Sequence, residues 1–270
     1  MIVKCSKIEQ YMNKVFDKKI FNDLNNPPFF KVFTIQKIYP ESSKNLKTNF
    51  ISFAKKLGKI KYQNLKKDKI IEIKPDLKKI KKLESKKIKI KSVLRYHQTN
   101  LGGSIHSDGP QHTIPPKYII MACENNSVKG GDTILVDTKK IFKFLKNKKP
   151  QILKILRNKI PFERRGFKFS KSNVFFKSIF LLKNKKFIFR YLRDYIEKGY
   201  KIKNKKIPDD YLNAFNYLDS LLKNKKFMKK IKLNRGELIL LNNHILAHGR
   251  TTFKLEQKIN KRKLYRIWIN

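Results

Sequence analysis

The chain has 270 residues and a mass of 32.2 kDa, long enough to bury a core without disulfides or structural metals as staples. Its 66 Lys and Arg against 20 Asp and Glu give a formal net charge of +46 and a pI near 10.3, which raises the question of a polyanionic partner, yet 40% hydrophobic and 12% aromatic content exclude charge-driven disorder. Cys5 and Cys123 lie far apart with no CxxC spacing, the first residues carry no apolar signal region, and no apolar run approaches the ~18 residues of a membrane span, so the expectation is a reduced, cytoplasmic protein with no membrane partner.

In chain order, Ser6-Lys7-Ile8-Glu9 has capping-box spacing, and Ile8, Tyr11, Met12 and Val15 follow at helical positions. A short amphipathic helix is expected there. A second helix carries Leu46, Phe50, Phe53, Ala54 and Leu57 on one face and stops at Gly58, a residue suited to a left-handed cap. From about Ile70 the period changes: Ile71 and Ile73 alternate with charged residues, and Ile88 and Ile90 lead into Val93 and Leu94, as half-buried strands do. Tyr118 to Cys123 and Thr133 to Val136 are further strands on either side of a Gly130-Gly131 turn. Asp137 or Thr138 caps a helix bearing Ile141, Phe142 and Leu145 that ends before Pro150. Pro208 starts the last helix, with Leu212, Phe215, Leu218 and Leu222, and Glu237 to Leu241 and Leu264 to Ile269 read as closing strands. No Gly-, Ser- or Pro-rich linker divides the chain, which predicts one domain over 1–270, mainly β with helical decoration (α+β).

The positive charge is mostly Lys and is spread along the chain. The tetrapeptide KNKK starts at Lys146, Lys183, Lys203 and Lys223, at unequal offsets of 37, 20 and 20 residues, which is no solenoid repeat. A nucleic-acid face would gather its cations, favour Arg and interleave aromatics. These runs read instead as exposed turns, and no dedicated nucleic-acid site is expected.

All five histidines fall in two windows: His97, His106 and His112, then His244 and His248. In the first, His106-Ser107-Asp108 puts an imidazole and a carboxylate two residues apart, on the same side of an extended chain, where both reach one metal ion. In the second, His244 and His248 have the spacing of a helical zinc pair. Position 245 is Ile, so the zinc-peptidase reading, which needs Glu after the first His, fails. Adding His248 to His106 and Asp108 gives two His and one carboxylate, the facial arrangement that leaves sites open on non-heme Fe(II).

With those residues in place the sequence resembles the taurine dioxygenase-like family (TauD/TfdA, with clavaminate synthase-like enzymes) of Fe(II)/2-oxoglutarate-dependent oxygenases. The resemblance runs from about Arg95 to Trp268, with an echo at Phe53 to Gly58. It rests on four motifs in order: His106-Ser107-Asp108, Gly130-Gly131-Asp132-Thr133, Asn243 through His248-Gly249-Arg250 to Phe253, and Arg262-Lys263-Leu264-Tyr265-Arg266.

The resemblance implies a double-stranded β-helix, a distorted jelly roll, with Fe(II) on His106, Asp108 and His248 and with 2-oxoglutarate and O2 as co-substrates. Arg262, 14 residues after His248, would hold the far carboxylate of 2-oxoglutarate through parallel hydrogen bonds, with Thr133 donating its hydroxyl to the same group. Arg266, four residues on, would meet the co-substrate or an acidic group of the prime substrate. The segment Glu163 to Tyr200 would cover the site, with Arg190 as a candidate for a substrate anion; Tyr96, Gln98, Thr99 and Asn100, just before the metal motif, are placed to meet substrate. His97 and His112, toward the pocket mouth, read as packed or exposed imidazoles, His244 as a structural residue of the Asn-Asn-His turn, and Arg250 as a brace of the barrel. The reaction implied is hydroxylation of a small carboxylated or amino-acid-like metabolite with release of succinate and CO2. Related halogenases have a small residue where Asp108 stands, so chlorination is not expected. The rival reading is a basic, non-catalytic nucleic-acid-binding protein on an oxygenase-like scaffold.

Overall fold

A computed structural model describes residues 2–5, 14–35, 43–88, 94, 96–165, 173–255 and 262–270. Two sheets face each other. The larger runs β1 (Ile2–Cys5), β2 (Phe30–Ile35), β12 (Glu237–Asn242), β5 (Tyr118–Asn125), β14 (Lys263–Ile269), β3 (Ile60–Lys61), with β4 (Ile70–Ile73) also on β14. All its pairings are antiparallel except β1 on β2. The smaller runs β11 (Met228–Ile231), β6 (Thr133–Asp137), β13 (Leu246–Arg250), again antiparallel.

Alternation along the central strands explains the layering. Tyr118, Ile120 and Ala122 of β5 and Tyr265, Ile267 and Ile269 of β14 face outward onto a cluster shared with Ile20 and Leu24 of α1 (Lys14–Asn25) and Phe50, Phe53, Ala54 and Leu57 of α2 (Ser43–Leu57). Ile119, Met121 and Cys123 of β5 and Leu264 and Trp268 of β14 face inward, into the core shared with the smaller sheet. Arg266, between Leu264 and Trp268 in this alternation, also points inward. A strand cationic at that position needs an anion inside the barrel.

Several expectations hold with small boundary shifts, including the strands at 118, 133, 237 and 263. The helix capped by Asp137, α4 (Thr138–Lys148), has the Asp137 carboxylate accepting from the Lys140 amide at 3.1 Å. Gly58 follows α2 because the chain end passes close: a Cβ there would lie 2.5 Å from the Asn270 carbonyl oxygen. The strand expected from Ile88 to Leu94 is corrected where it is described. Residues 77–85 form α3 (Leu77–Ser85), capped by Asp76 and burying Ile80 and Leu83, on which Leu94 packs. Ile88 donates its amide to the Leu83 carbonyl in the turn that ends this helix. The i, i+3 spacing of Leu77, Ile80 and Leu83 and the Asp76 cap carry the helix signal, which a reading of alternation from Ile71 onward ran past. Residues 89–93 and 6–13, on which the rest of that strand and most of the first helix fall, lie outside the described residues.

All four KNKK runs are exposed, but only two are plain turns. Asn184 and Lys185 take φ of 48° and 59° between β9 (Phe180–Lys183) and β10 (Lys186–Phe189), the double left-handed geometry of a tight hairpin. Asn204 turns the chain after α6 (Arg193–Ile202). The run at Lys146 closes α4. The run at Lys223 ends α7 (Asp209–Lys223) and enters a short 3-10 turn.

Helix α6 packs on β7 (Ile160–Glu163) through Gly199, where a Cβ would sit 2.5 Å from the Pro161 carbonyl oxygen. Gly199→Ala adds helix propensity of about 1 kcal/mol but drives a methyl into rigid backbone, an overpacking that costs about 1–3 kcal/mol or more. The variant should melt several degrees below the parent in a thermal scan; an unchanged Tm would show that α6 can slide away from β7.

Candidate metal centre

Two distant chain segments bring the site together through one backbone pair. The amide of His106 donates to the His248 carbonyl at 2.9 Å, and that of His248 to the His106 carbonyl at 2.7 Å. The rings therefore stand side by side, 4.8 Å between centroids. Asp108, two residues after His106, turns the same way. His106 Nε2 lies 3.6 Å from Asp108 Oδ1 and His248 Nε2 3.7 Å from Oδ2. The three donor atoms lie within 4.8 Å of one another, wider by up to about 2 Å than the roughly 3 Å between neighbouring ligands of a metal with bonds of about 2.1 Å, so the side chains would draw inward on an ion.

The chemistry of this donor set fits a divalent transition metal. His106 Nδ1 is 2.9 Å from the Ser104 carbonyl, a contact that places its proton there and leaves the Nε2 lone pair facing Asp108. Burial alone would raise the Asp108 pKa; the Arg266 guanidinium, with the two histidines, more than reverses this and holds the carboxyl well below its ordinary range. Burial holds His248 down at about 3, hence neutral and able to donate a lone pair. Arg266 Nη1 lies 2.9 Å from both Asp108 oxygens, and the Trp268 indole N–H donates to Oδ2 at 2.8 Å. Gln63 completes the chain by accepting from Arg266 Nε at 2.9 Å. Asn243 fixes the Asp108 backbone from both sides, accepting from its amide at 2.8 Å and donating to its carbonyl at 3.0 Å. Ser107, between His106 and Asp108, exchanges two hydrogen bonds with the Tyr191 backbone, at 2.9 and 3.0 Å.

A second cationic group lies beside the Gly130-Gly131 turn. Both glycines have positive φ, 77° and 76°, and a Cβ on Gly130 would collide with the Thr252 carbonyl. The buried Arg262 donates from Nε to Asn126 Oδ1 at 3.1 Å and from Nη2 to the Gly131 carbonyl at 3.3 Å, while Nη1 meets no acceptor. Burial first, then the neighbouring Arg250, lowers its pKa to about 9. A guanidinium buried beside another cation with one unanswered N–H is prepared for an anion. Thr133 is buried and pairs in register with Arg250, on the face of the smaller sheet that carries His248. The lysine at 232 reaches across the turn to the carbonyls of Ser127 and Gly130.

The remaining sequence-predicted residues fall as follows. Arg250 donates to the carbonyls of Thr99 and Leu101 at 2.9 and 2.8 Å, bracing the loop before the metal motif. Asn100 commits its side-chain amide to the Phe253 carbonyl at 3.3 Å, and Tyr96 and Gln98 stand in the 3-10 turn Tyr96–Gln98. Arg190 is buried, with Nη2 on the Thr113 carbonyl at 3.0 Å. His244 is buried in its turn, with Nε2 3.1 Å from the Pro115 carbonyl. Trp268, Gln63 and Lys232 escaped the sequence reading. Trp268, two residues after Arg266 on an alternating strand, carried a usable signal; Gln63, 203 positions from Arg266, carried none.

Two outcomes follow for the metal-free chain. Trp268→Phe keeps the ring and removes the N–H that orients Asp108, and affinity for Fe(II) or Co(II), read by titration, should fall about 10- to 100-fold. His244 and His248, held by burial at about 4 and about 3, take up protons on unfolding at any pH between those values and the ordinary imidazole pKa of about 6.5. The unfolded state then binds more protons, so stability falls as pH drops from about 6.5 toward 4. Urea midpoints should decrease from pH 7.5 to pH 4.5, and a flat series would show that these imidazoles stay charged in the fold.

Comparison with known proteins gives the arrangement its family. A model of the family described as taurine catabolism dioxygenase TauD, TfdA family matches residues 50–268. Among solved structures, an asparagine oxygenase in complex with Fe(II), 2S,3S-3-hydroxyasparagine and succinate superposes with a TM-score of 0.70 at 11% identity, covering 95% of this chain and 79% of that one. The non-heme iron oxygenase OrfP with Fe and alpha-ketoglutaric acid gives 0.66 at 11% identity, over 96% and 80% of the two chains. OrfP with Fe, succinate and (3S)-hydroxy-L-Arg gives 0.65 at 12%, over 96% and 81%. At such identities these likenesses show the shared jelly-roll fold, and the match over residues 50–268 shows that the chain belongs to the TauD, TfdA family of dioxygenases.

Proposed function

We propose that this chain is an Fe(II)/2-oxoglutarate-dependent dioxygenase that hydroxylates a C–H bond of a small carboxylated or amino-acid-like metabolite. The observation that carries the reading is the pairing of the His106, Asp108, His248 cluster with the buried Arg262, whose Nη1 meets no acceptor. Iron and 2-oxoglutarate, when bound, supply with O2 the oxidant that turns C–H into C–OH, one oxygen entering the product and the other the succinate that leaves with CO2.

The chain's own residues position and shield this chemistry. His106, Asp108 and His248 would hold the metal on one face and leave the opposite face to the co-substrates. Arg262 would take the far carboxylate of 2-oxoglutarate on its open N–H, with the Thr133 hydroxyl as second donor. Arg266 fixes the Asp108 carboxylate and stands where an acidic group of co-substrate or substrate would approach the ligand set. Residues 1–270 would act as one domain, with 163–200 covering the site; the Tyr191 to Ser107 hydrogen bonds support that assignment by tying the segment directly to the metal motif. Tyr96, Gln98 and Asn100 would form the substrate side of the preceding loop. The hydroxylated asparagine and arginine in the complexes of the asparagine oxygenase and OrfP favour an amino-acid-like substrate. No described helix is long and apolar enough to cross a membrane, and the buried Cys123, its thiol on the Leu233 carbonyl, suits the reducing cytoplasm.

Anaerobic titration of the Fe(II)-loaded protein with 2-oxoglutarate should show saturable binding, and failure to bind overturns the reading. Arg262→Gln should weaken that binding more than about 30-fold, the equivalent of about 2 kcal/mol for a buried charge pair, without changing metal affinity. His248→Ala should abolish succinate formation. With Asp108 supplying an anionic ligand, product masses in chloride buffer should rise by one oxygen; incorporated chlorine would refute the role given to Asp108.

A further inference from the structure

Among the described residues, Arg190 is the most deeply buried cation that the ligand set leaves unused. Its side chain is 4% exposed. Nη2 donates to the Thr113 carbonyl at 3.0 Å, but Nε and Nη1 meet no acceptor. Its guanidinium lies 5.5 Å from the centroid of the Phe175 ring. Among the described residues no carboxylate forms an ion pair with it. Removing a guanidinium from water without an anion costs several kcal/mol. A single carbonyl contact does not offset that, whereas an arriving anion would.

Its place in the fold ties it to the reaction site. Arg190 immediately precedes Tyr191, whose backbone clasps Ser107 between the two metal-motif residues His106 and Asp108. Its partner Thr113 stands in the loop that leaves Asp108, next to His112, and His112 sets the edge of its ring on Trp268, 5.7 Å between centroids. Trp268 is the residue that holds Asp108. The surroundings are positive. Lys61 donates to the Ile114 carbonyl at 3.0 Å, and burial, followed by Lys61 and Arg190, pushes the His112 pKa down to about 4.

We propose that Arg190 is a specificity-determining residue that binds an acidic group on the prime substrate, so that the preferred substrate is an amino-acid-like molecule whose side chain ends in an oxyanion. The inference rests on the oxygenase reading above and narrows its substrate. An oxyanion reaching Nη1 or Nε accepts a charge-assisted hydrogen bond from a donor that otherwise meets no acceptor. The same buried charge repels a cationic side chain and leaves a neutral amide with one mismatched group, so discrimination arises from both attraction and exclusion.

The test uses the full chain loaded with Fe(II) and 2-oxoglutarate without O2, and reads the fluorescence of its single tryptophan, Trp268, beside the site. The probes are L-aspartate and L-glutamate, their amides L-asparagine and L-glutamine, and L-arginine. The expected result is that at least one acid binds about tenfold or more tighter than its amide, with L-arginine weakest. Arg190→Gln should bring acid and amide to within about twofold while leaving the 2-oxoglutarate Kd unchanged; Arg190→Lys should keep part of the preference. Amide or arginine binding as tight as the acid, absence of binding by both acids, or an Arg190→Gln variant that keeps the preference would overturn the proposal. Should Arg190→Gln fail to fold, the parent protein's probe series and the Arg190→Lys variant decide the matter. Loss of 2-oxoglutarate binding in the parent protein would instead overturn the oxygenase reading itself.

Discussion

A carboxylate buried between two imidazoles is the constraint around which this molecule is arranged. Asp108 is 5% exposed, and an ionised carboxyl so placed is untenable without compensation. Arg266 and Trp268, from one face of one closing strand, supply charge and a hydrogen bond, and Asn243 takes both backbone groups of the same residue. Each of these partners comes from a different part of the chain than Asp108 itself. The last strand, β14, therefore does more than complete the larger sheet: its inward alternation of Leu264, Arg266 and Trp268 makes one half of the site. Its register against β5 decides whether those side chains face the metal cluster or the helices.

The loop that follows Asp108 shows how firmly that geometry is held. Four successive carbonyls, of Thr113, Ile114, Pro115 and Pro116, each accept from a side chain of another segment: Arg190, Lys61, and the neighbours His244 and Asn243 of one turn, at 2.8 to 3.1 Å. A loop without regular structure has no internal partners for its carbonyls, so long polar side chains from the surroundings serve instead. In this way His244, which lies outside the His106, Asp108, His248 cluster, and Lys61, from a two-residue strand, still bear on the wall beside the site. The same device recurs at the Gly130-Gly131 turn, where the carbonyls face Lys232 and Arg262. Cations are abundant in this chain, and some of them hold irregular backbone in place.

The high positive charge thus divides into two populations with different physics. The KNKK runs are solvated and lie at helix ends and turns, where Lys adds little beyond solubility and favourable contact with helix C-termini. Arg190, Arg250, Arg262 and Arg266 are the cations at or near the centre, the first three buried and the fourth half-buried. There a planar guanidinium satisfies several directed contacts that an ammonium would not. Composition could not separate the two groups, because both raise the net charge equally.

What the sequence by itself determined was whatever is carried by local spacing. His106-Ser107-Asp108 must place an imidazole and a carboxylate on one side of an extended chain, Gly130-Gly131 must turn with positive φ, and the strand and helix periods around Tyr118, Asp137 and Leu264 follow from which positions can be buried. Local spacing also carries the capped helix at Leu77 to Ser85, which the alternation around it, at Ile71 and Ile88, passes over. The tertiary structure alone decided that His248 would meet His106 through a mutual pair of backbone hydrogen bonds, that Arg266 would spend its charge on Asp108, and that Trp268, Gln63 and Lys232 would support the site. Those contacts join residues more than a hundred positions apart, and nothing in a one-dimensional pattern records which distant strand a side chain will face. Sheet register records it, and register is set by the whole core at once.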